Sequence, residues 1–308
     1  MERRRPRRLA RRRLAAEPPS PQHSLVTHSA ARTPPNQPAG RQRSGFRSCV
    51  SSPAPTYNRR VGSSVFIDRA TVAGADGNVI VRDISLRIEP GESVAVIGRS
   101  GAGKTTLLRL LNGLAEPRSG SVVIDGQPLG GSGLAERRRR IGTILQAPAL
   151  FPHRTVFENV ATVPRLLGWP DERIRQASSD MLERLDLPFA RFGGRFPRSL
   201  SGGEQQRVGI ARAMVAAPPL LLCDEPFSAL DPIVRRDLQD AFVALRDGGD
   251  VTMLFVTHDV AEALRVARRI VLIDDGAIVA DLEAGDFVRS AHPLIHRFLD
   301  AARIPEAS

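Results

Sequence analysis

One stretch limits the fold more than any other. The apolar run Ser93-Val94-Ala95-Val96-Ile97 feeds directly into Gly98-Arg99-Ser100-Gly101-Ala102-Gly103-Lys104-Thr105, and leucines at 107, 108, 110 and 111 follow before Gly113. The octapeptide fits the phosphate-loop pattern G-x-x-x-x-G-K-[ST] at every fixed position. Its surroundings read as a buried strand, a tight loop and a helix over Thr105 to Asn112, which requires a parallel α/β sheet rather than a bundle or a sandwich. Of the 44 basic side chains, 43 are arginine, and the single lysine is Lys104. A narrow backbone loop closing on phosphates needs a compact ammonium on a flexible stem, and a planar guanidinium is too broad for it. The chain therefore binds a nucleoside triphosphate. Its contacts are expected from Gly98, Arg99, Ser100, Gly101, Ala102, Gly103, Lys104, Thr105 and Thr106. The N–H groups of Ser100 to Thr105 should form an anion nest at the positive end of the helix. The Thr105 hydroxyl is placed to ligate Mg²⁺.

The net charge of +11 on 308 residues is unevenly distributed. Residues 1–60 hold 14 arginines against Glu2 and Glu17, a net +12; the other 248 residues carry 30 basic and 31 acidic groups, a net −1. A body near neutrality does not have the charge of a nucleic-acid surface. The stretch 1–60, with nine prolines and no apolar periodicity, reads as a disordered Arg/Pro-rich tail. It is open as a solvated extension, a start placed too far upstream, a tether to anionic lipid or nucleic acid, or a targeting peptide. No run approaches the roughly 18 uncharged apolar residues of a membrane helix, so any membrane role is expected to come through a partner. Cys49 lies in the tail and Cys223 in an apolar run, which argues against a structural disulfide and for a reducing compartment.

Along the body, Val65–Ile67 and Val79–Val81 read as short strands around the turn-rich 74–78, and Ile84–Ile88 as a further alternating strand. Asp171 to Leu185 has helical spacing and lies in a strand-poor stretch from about 147. Strand-like runs return at Leu220–Cys223, Thr252–Val256 and Ile270–Ile273. Leu220-Leu221-Leu222-Cys223 ends in two adjacent carboxylates, Asp224 and Glu225. Strand alternation is expected to point them apart, leaving Asp224 for the Mg²⁺ shell and Glu225 to polarise an attacking water.

Leu200-Ser201-Gly202-Gly203-Glu204-Gln205-Gln206-Arg207 resembles, at all eight positions, the signature peptide of ATP-binding-cassette (ABC) ATPases. Further motifs match in the family's order: Gln146 the Q-loop, Leu220–Glu225 the Walker B strand, Ser228-Ala229-Leu230-Asp231 the D-loop, and His258 the switch histidine. The resemblance covers roughly 64–300 and implies an ABC ATPase domain over 61–300. That domain has a P-loop core, an N-terminal antiparallel β-subdomain and a mainly helical subdomain at about 147–205. It further implies catalytic roles for Glu225, His258 and Gln146, and Mg²⁺ ligation by Thr105, Gln146 and Asp224. Two cassettes, as a homodimer or a pair, would close head to tail on ATP, so that Ser201, Gly202, Gly203 and Gln205 face the nucleotide of the other copy and Asp231 lies at the junction. From the residues alone, a single histidine behind an apolar strand is more often structural.

The subtype it most resembles is an importer, and within importers those for glycine betaine, choline and other quaternary amines. Phe151 to Val160 carry the likeness to importers, and Val163 to Trp169 with Asp224 to Ile233 carry the finer one. Trp169 is read equally as a packing residue of the helical subdomain. Many such importers carry a C-terminal pair of regulatory CBS domains, whereas about 30 residues follow Gly276 here. The implied partners are separate membrane permease subunits and an extracytoplasmic solute-binding protein, with the ATPase peripheral on the cytoplasmic face of the inner membrane. Importers of methionine, phosphonate or polar amino acids are the alternative. A soluble cassette of nucleic-acid metabolism has only the arginine tail in its favour, and direct nucleic-acid binding is not expected. One departure stands out. The family commonly stacks an aromatic on adenine, and at the corresponding Gly74 or Ala75 there is none; the only tyrosine is Tyr57, in the tail. Phe66 is read as a strand-core side chain rather than a substitute.

Overall fold

The computed structural model describes residues 62–304. The expectation of a disordered tail over 1–60, and with it Cys49 and Tyr57, lies outside the described residues.

The strands are β1 (Val65–Ala73), β2 (Val79–Ile88), β3 (Ser93–Gly98), β4 (Ser119–Ile124), β5 (Gln127–Pro128), β6 (Ile141–Ile144), β7 (Leu220–Asp224), β8 (Thr252–Val256), β9 (Arg269–Asp274) and β10 (Ala277–Glu283). The helices are α1 (Lys104–Leu111), α2 (Leu134–Arg139), α3 (Val156–Val160), α4 (Thr162–Leu166), α5 (Asp171–Arg184), α6 (Phe189–Phe192), α7 (Gly202–Met214), α8 (Pro232–Gly248), α9 (Val260–Val266), α10 (Ala284–Arg289) and α11 (Pro293–Ala301). Among the described residues no helix is long and apolar enough to cross a membrane.

Two sheets form. The smaller is antiparallel where β2, β1, β4 and β5 pair in that order. The larger has the order β10-β9-β3-β8-β7-β6, parallel except for the antiparallel edge strand β10. A parallel sheet is covered on both faces and its strands are apolar throughout. All six residues of β3 and all five of β8 are buried. Alternation sends Ala95, Ile97, Leu221, Cys223 and Phe255 into one core, with α7, α8 and α9. Val94, Val96, Leu222, Leu254 and Val256 enter a second core under α1 and the small sheet.

Between β6 and β7 the described residues contain helices and no strand. Helix α7 continues to Met214. Two strand readings need correction. Val79–Val81 and Ile84–Ile88 are one strand, β2. The left-handed Asp83 (φ 46°) and bulges against β1 break the alternation that would have revealed its continuity. Phe66 is not a core residue: it faces outward from β1 and is 46% exposed, because Val65 and Ile67 take the two inward positions of the pleat.

Candidate active site

Four neighbouring parallel strands, β3, β8, β7 and β6, deliver their C-terminal ends to one rim. Register aligns them there: Val96 pairs with Val256, Asp224 with Val256, and Ile144 with Cys223. The phosphate loop follows β3, Glu225 follows β7, His258 follows β8, and Gln146 follows β6. Ligands of open α/β sheets bind in this crevice beyond the carboxyl ends of the strands. Here it is a cleft of about 470 Å³ lined by Ile80, Ser100, Gly101, Gly103, Lys104, Thr105, Thr106, Gln146, Asp224, Glu225, Val256 and His258.

The loop owes its shape to glycine. Gly103 is left-handed (φ 97°), and a Cβ there would stand 2.8 Å from the Ile80 carbonyl oxygen. At Gly98 a Cβ would come within 2.2 Å of the Ile273 carbonyl oxygen on β9. Helix α1 begins at Lys104 with no side-chain cap, so its first N–H groups are left for an anion. Lys104 Nζ donates to the carbonyl oxygens of Gly98 and Arg99, each at 2.8 Å. Burial holds the Lys104 pKa below the usual lysine range, against the opposing pull of Glu225 and Asp224.

Three of the expected nucleotide contacts, Gly98, Arg99 and Ala102, are not among the residues that line the cleft. Gly98 offers only its backbone, Ala102 is buried, and Arg99 turns to Asp274. Its Nε lies 2.9 Å from Asp274 Oδ1 and its Nη2 2.7 Å from the same oxygen, with a third bond of 2.9 Å to Oδ2. That fork clamps the loop to the end of β9.

Asp224 and Glu225 diverge for a reason other than strand alternation. Strand β7 stops at Asp224, and Glu225 lies beyond it in the left-handed region (φ 45°), its N–H donating to the Val256 carbonyl oxygen at 2.9 Å. That conformation costs a non-glycine residue about 1–2 kcal/mol. It swings the Glu225 carboxylate between Gln146 and His258, with Gln146 Nε2 donating to Oε2 at 3.0 Å and His258 Nδ1 3.0 Å from Oε1. Asp224 instead accepts from the Thr105 hydroxyl at 3.4 Å. Burial raises its pKa above the usual carboxylate range, a penalty that a bound cation would relieve.

Thr105 and Asp224 present hard oxygen donors side by side, which suits Mg²⁺. Among the described residues no group of three or more His, Cys, Asp or Glu side chains could hold an ion. The protein thus offers part of a coordination shell, as expected of an ion shared with phosphates and water.

The remaining predicted residues lie elsewhere. Ser201 caps α7 through a reciprocal box with Glu204: its hydroxyl accepts from the Glu204 N–H at 3.2 Å, and Glu204 Oε2 accepts from the Ser201 N–H at 2.7 Å. Gly202 and Gly203 form the first turn, and Gln205 Nε2 donates back to the Leu200 carbonyl at 3.2 Å. None of the four lines the cleft of its own chain. Asp231 caps α8, accepting from the N–H groups of Ile233 and Val234, both at 3.1 Å.

Sequence reasoning passed over Ile80 and Val256, which also line the cleft. Ile80 directly follows the turn where the adenine aromatic was sought, and its place on β2 was the available signal. Trp169 is stacked by the Arg173 guanidinium at 3.6 Å, a packing arrangement within the helical stretch.

A family model described as "ABC transporter" matches residues 81–228. The "Choline transport ATP-binding protein OpuBA" of Bacillus subtilis is 40% identical over 233 residues, 75% of this chain and 61% of that protein. The "Glycine betaine/carnitine/choline transport ATP-binding protein OpuCA" of the same organism is 42% identical over 229 residues, 74% of this chain and 60% of its own length. The chain thus spans about three fifths of these relatives. A solved dimer of the ATP-binding cassette MJ0796 bound to ADP and Pi is similar at TM-score 0.66 and 32% identity, covering 71% of this chain and 98% of that one.

Proposed function

The chain belongs to the ABC transporter ATPases, and from that premise we propose that it hydrolyses ATP to power import of a small solute, a quaternary-amine osmoprotectant, through separate membrane permease subunits. The observation that carries the reading is the convergence of Lys104, Asp224, Glu225, Gln146 and His258 on one cleft at the head of α1. The relatives named for choline and for glycine betaine, carnitine and choline support the substrate class.

In this mechanism the phosphates enter the nest of Ser100 to Thr105, and Lys104 exchanges its two loop carbonyls for β- and γ-phosphate oxygens. Thr105, Asp224 and Gln146 would hold Mg²⁺, and the ion would supply positive charge against the phosphoryl oxygens. Glu225 orients and polarises the attacking water, accepting its proton as the γ-phosphoryl bond breaks. His258 holds the Glu225 carboxylate in line through Nδ1 and turns the other ring edge to the γ-phosphate.

A second copy of the chain, or a paired cassette, completes the site. Its Ser201, Gly202, Gly203 and Gln205 stand at a helix start, which is a second anion site. Asp231 fixes the adjoining turn. The ATPase sits peripherally on the cytoplasmic face of the membrane. Permease subunits dock on the helical stretch, and an extracytoplasmic binding protein delivers the solute.

The test is uptake of labelled glycine betaine and choline at high osmolarity in cells with rival importers deleted. Cells carrying Glu225→Gln should lose uptake that native cells retain. Unchanged uptake in the mutant would remove the osmoprotectant from this proposal and send the search to other solutes.

A further inference from the structure

A side chain outside the cleft touches the backbone of both segments that carry its key carboxylate and amide. Gln206, in the second turn of α7, is fully buried at 0% exposure. Its Nε2 donates to the carbonyl oxygen of Leu145 at 3.2 Å and to that of Pro226 at 3.3 Å. Leu145 immediately precedes Gln146, and Pro226 immediately follows Glu225. One amide therefore ties together the two loops whose side chains meet at 3.0 Å in the cleft, and it does so from the helix that begins with Ser201, Gly202 and Gly203.

The arrangement is costly. The Gln206 Oε1 is buried and has no hydrogen-bond partner. A buried amide with an unpaired acceptor is a poor way to fill a core, and an aliphatic side chain of that volume fills it without the penalty. The gain from the amide lies in its reach: two hydrogens of one planar group fix two backbone carbonyls relative to each other, which an apolar side chain cannot do.

We propose that Gln206 is a positioning residue for ATP hydrolysis, setting the spacing of the Gln146 and Glu225 loops and linking it to the helix that meets the nucleotide of the second copy. The inference rests on the ATPase reading given above. Gln206 touches no substrate in this arrangement. It governs how often the Glu225 carboxylate stands in line for the attacking water, so its loss falls on kcat and spares nucleotide affinity.

The experiment uses the full chain and steady-state Mg·ATP hydrolysis, with kcat expressed per chain competent to bind nucleotide. The variants are Gln206→Met and Gln206→Leu, two apolar fillings of the same site, each also combined with Gln146→Ala. Expected is a fall in kcat of about tenfold, with KM within about twofold of the parent. The double variants with Gln146→Ala should be no worse than the more damaged single one, because both act on one contact. A kcat within about twofold of the parent in both variants overturns the inference. So do losses that multiply with Gln146→Ala, or loss of nucleotide binding in both variants, which would make Gln206 a residue of the fold alone. A parent chain without ATPase activity overturns the function itself, and is told apart from these by its own measurement.

Discussion

His258 Nδ1 stands 3.0 Å from Glu225 Oε1, so the side chain after β8 holds the carboxylate that follows β7. The other carboxylate oxygen is held by Gln146 at the same distance. Glutamine at 225 keeps the shape of that junction and removes the group able to accept a proton from water. Glu225→Gln is therefore expected to lower ATP hydrolysis by about a hundredfold or more while ATP still binds and still draws two copies together. Phosphate release and light scattering measure the two halves. A monomer at saturating Mg·ATP would contradict the second.

Lys104 reaches the carbonyl oxygens of Gly98 and Arg99 with one compact ammonium, each at 2.8 Å. Lys104→Ala should weaken ATP binding by about a hundredfold by calorimetry. Lys104→Arg should fail to restore it, since a guanidinium does not enter where an ammonium does. Affinity equal to the parent in either variant would refute the phosphate contact.

Cys223 is buried on β7, and burial pushes its thiol pKa far above the ordinary range. The reactive thiolate is therefore almost unpopulated at pH 8, and the sulfur is also out of reach of reagent. In a Cys49→Ser background, a thiol reagent should leave the native protein unlabelled over an hour and label it fully once denatured. Rapid native labelling would mean that β7 is exposed in solution.

Deleting residues 1–60 removes all of the excess positive charge of the chain and none of the cleft. Hydrolysis by the truncated protein is expected to stay within about twofold of the full chain, since every residue that lines the cleft is kept. A loss of tenfold would make that stretch part of the catalytic machinery.

The cleft was legible because its parts are local. A glycine loop behind an apolar strand, two acids at a strand end and a histidine at another each carry their chemistry within a few residues, and strand order then gathers them. Features set by distant contacts were hidden. The turn of Glu225 depends on the Val256 carbonyl, and the diversion of Arg99 on Asp274, 175 residues away. The continuity of β2 was masked by a left-handed aspartate in mid-strand, which no periodicity announces. Phe66 was misplaced because a lone aromatic in an alternating run does not say which face is inward. Gln206 is one residue of the signature peptide in sequence, and its two backbone contacts, 61 and 20 residues away, follow only from the packing of α7.

The order of the large sheet has a mechanical consequence. Strand β7, which delivers Glu225, is flanked on both sides, whereas β6, which leads to Gln146, has a single neighbour. The amide is thus mounted beside the margin of the sheet and the base beside its interior, so a shift of the margin alone would change the 3.0 Å contact between them.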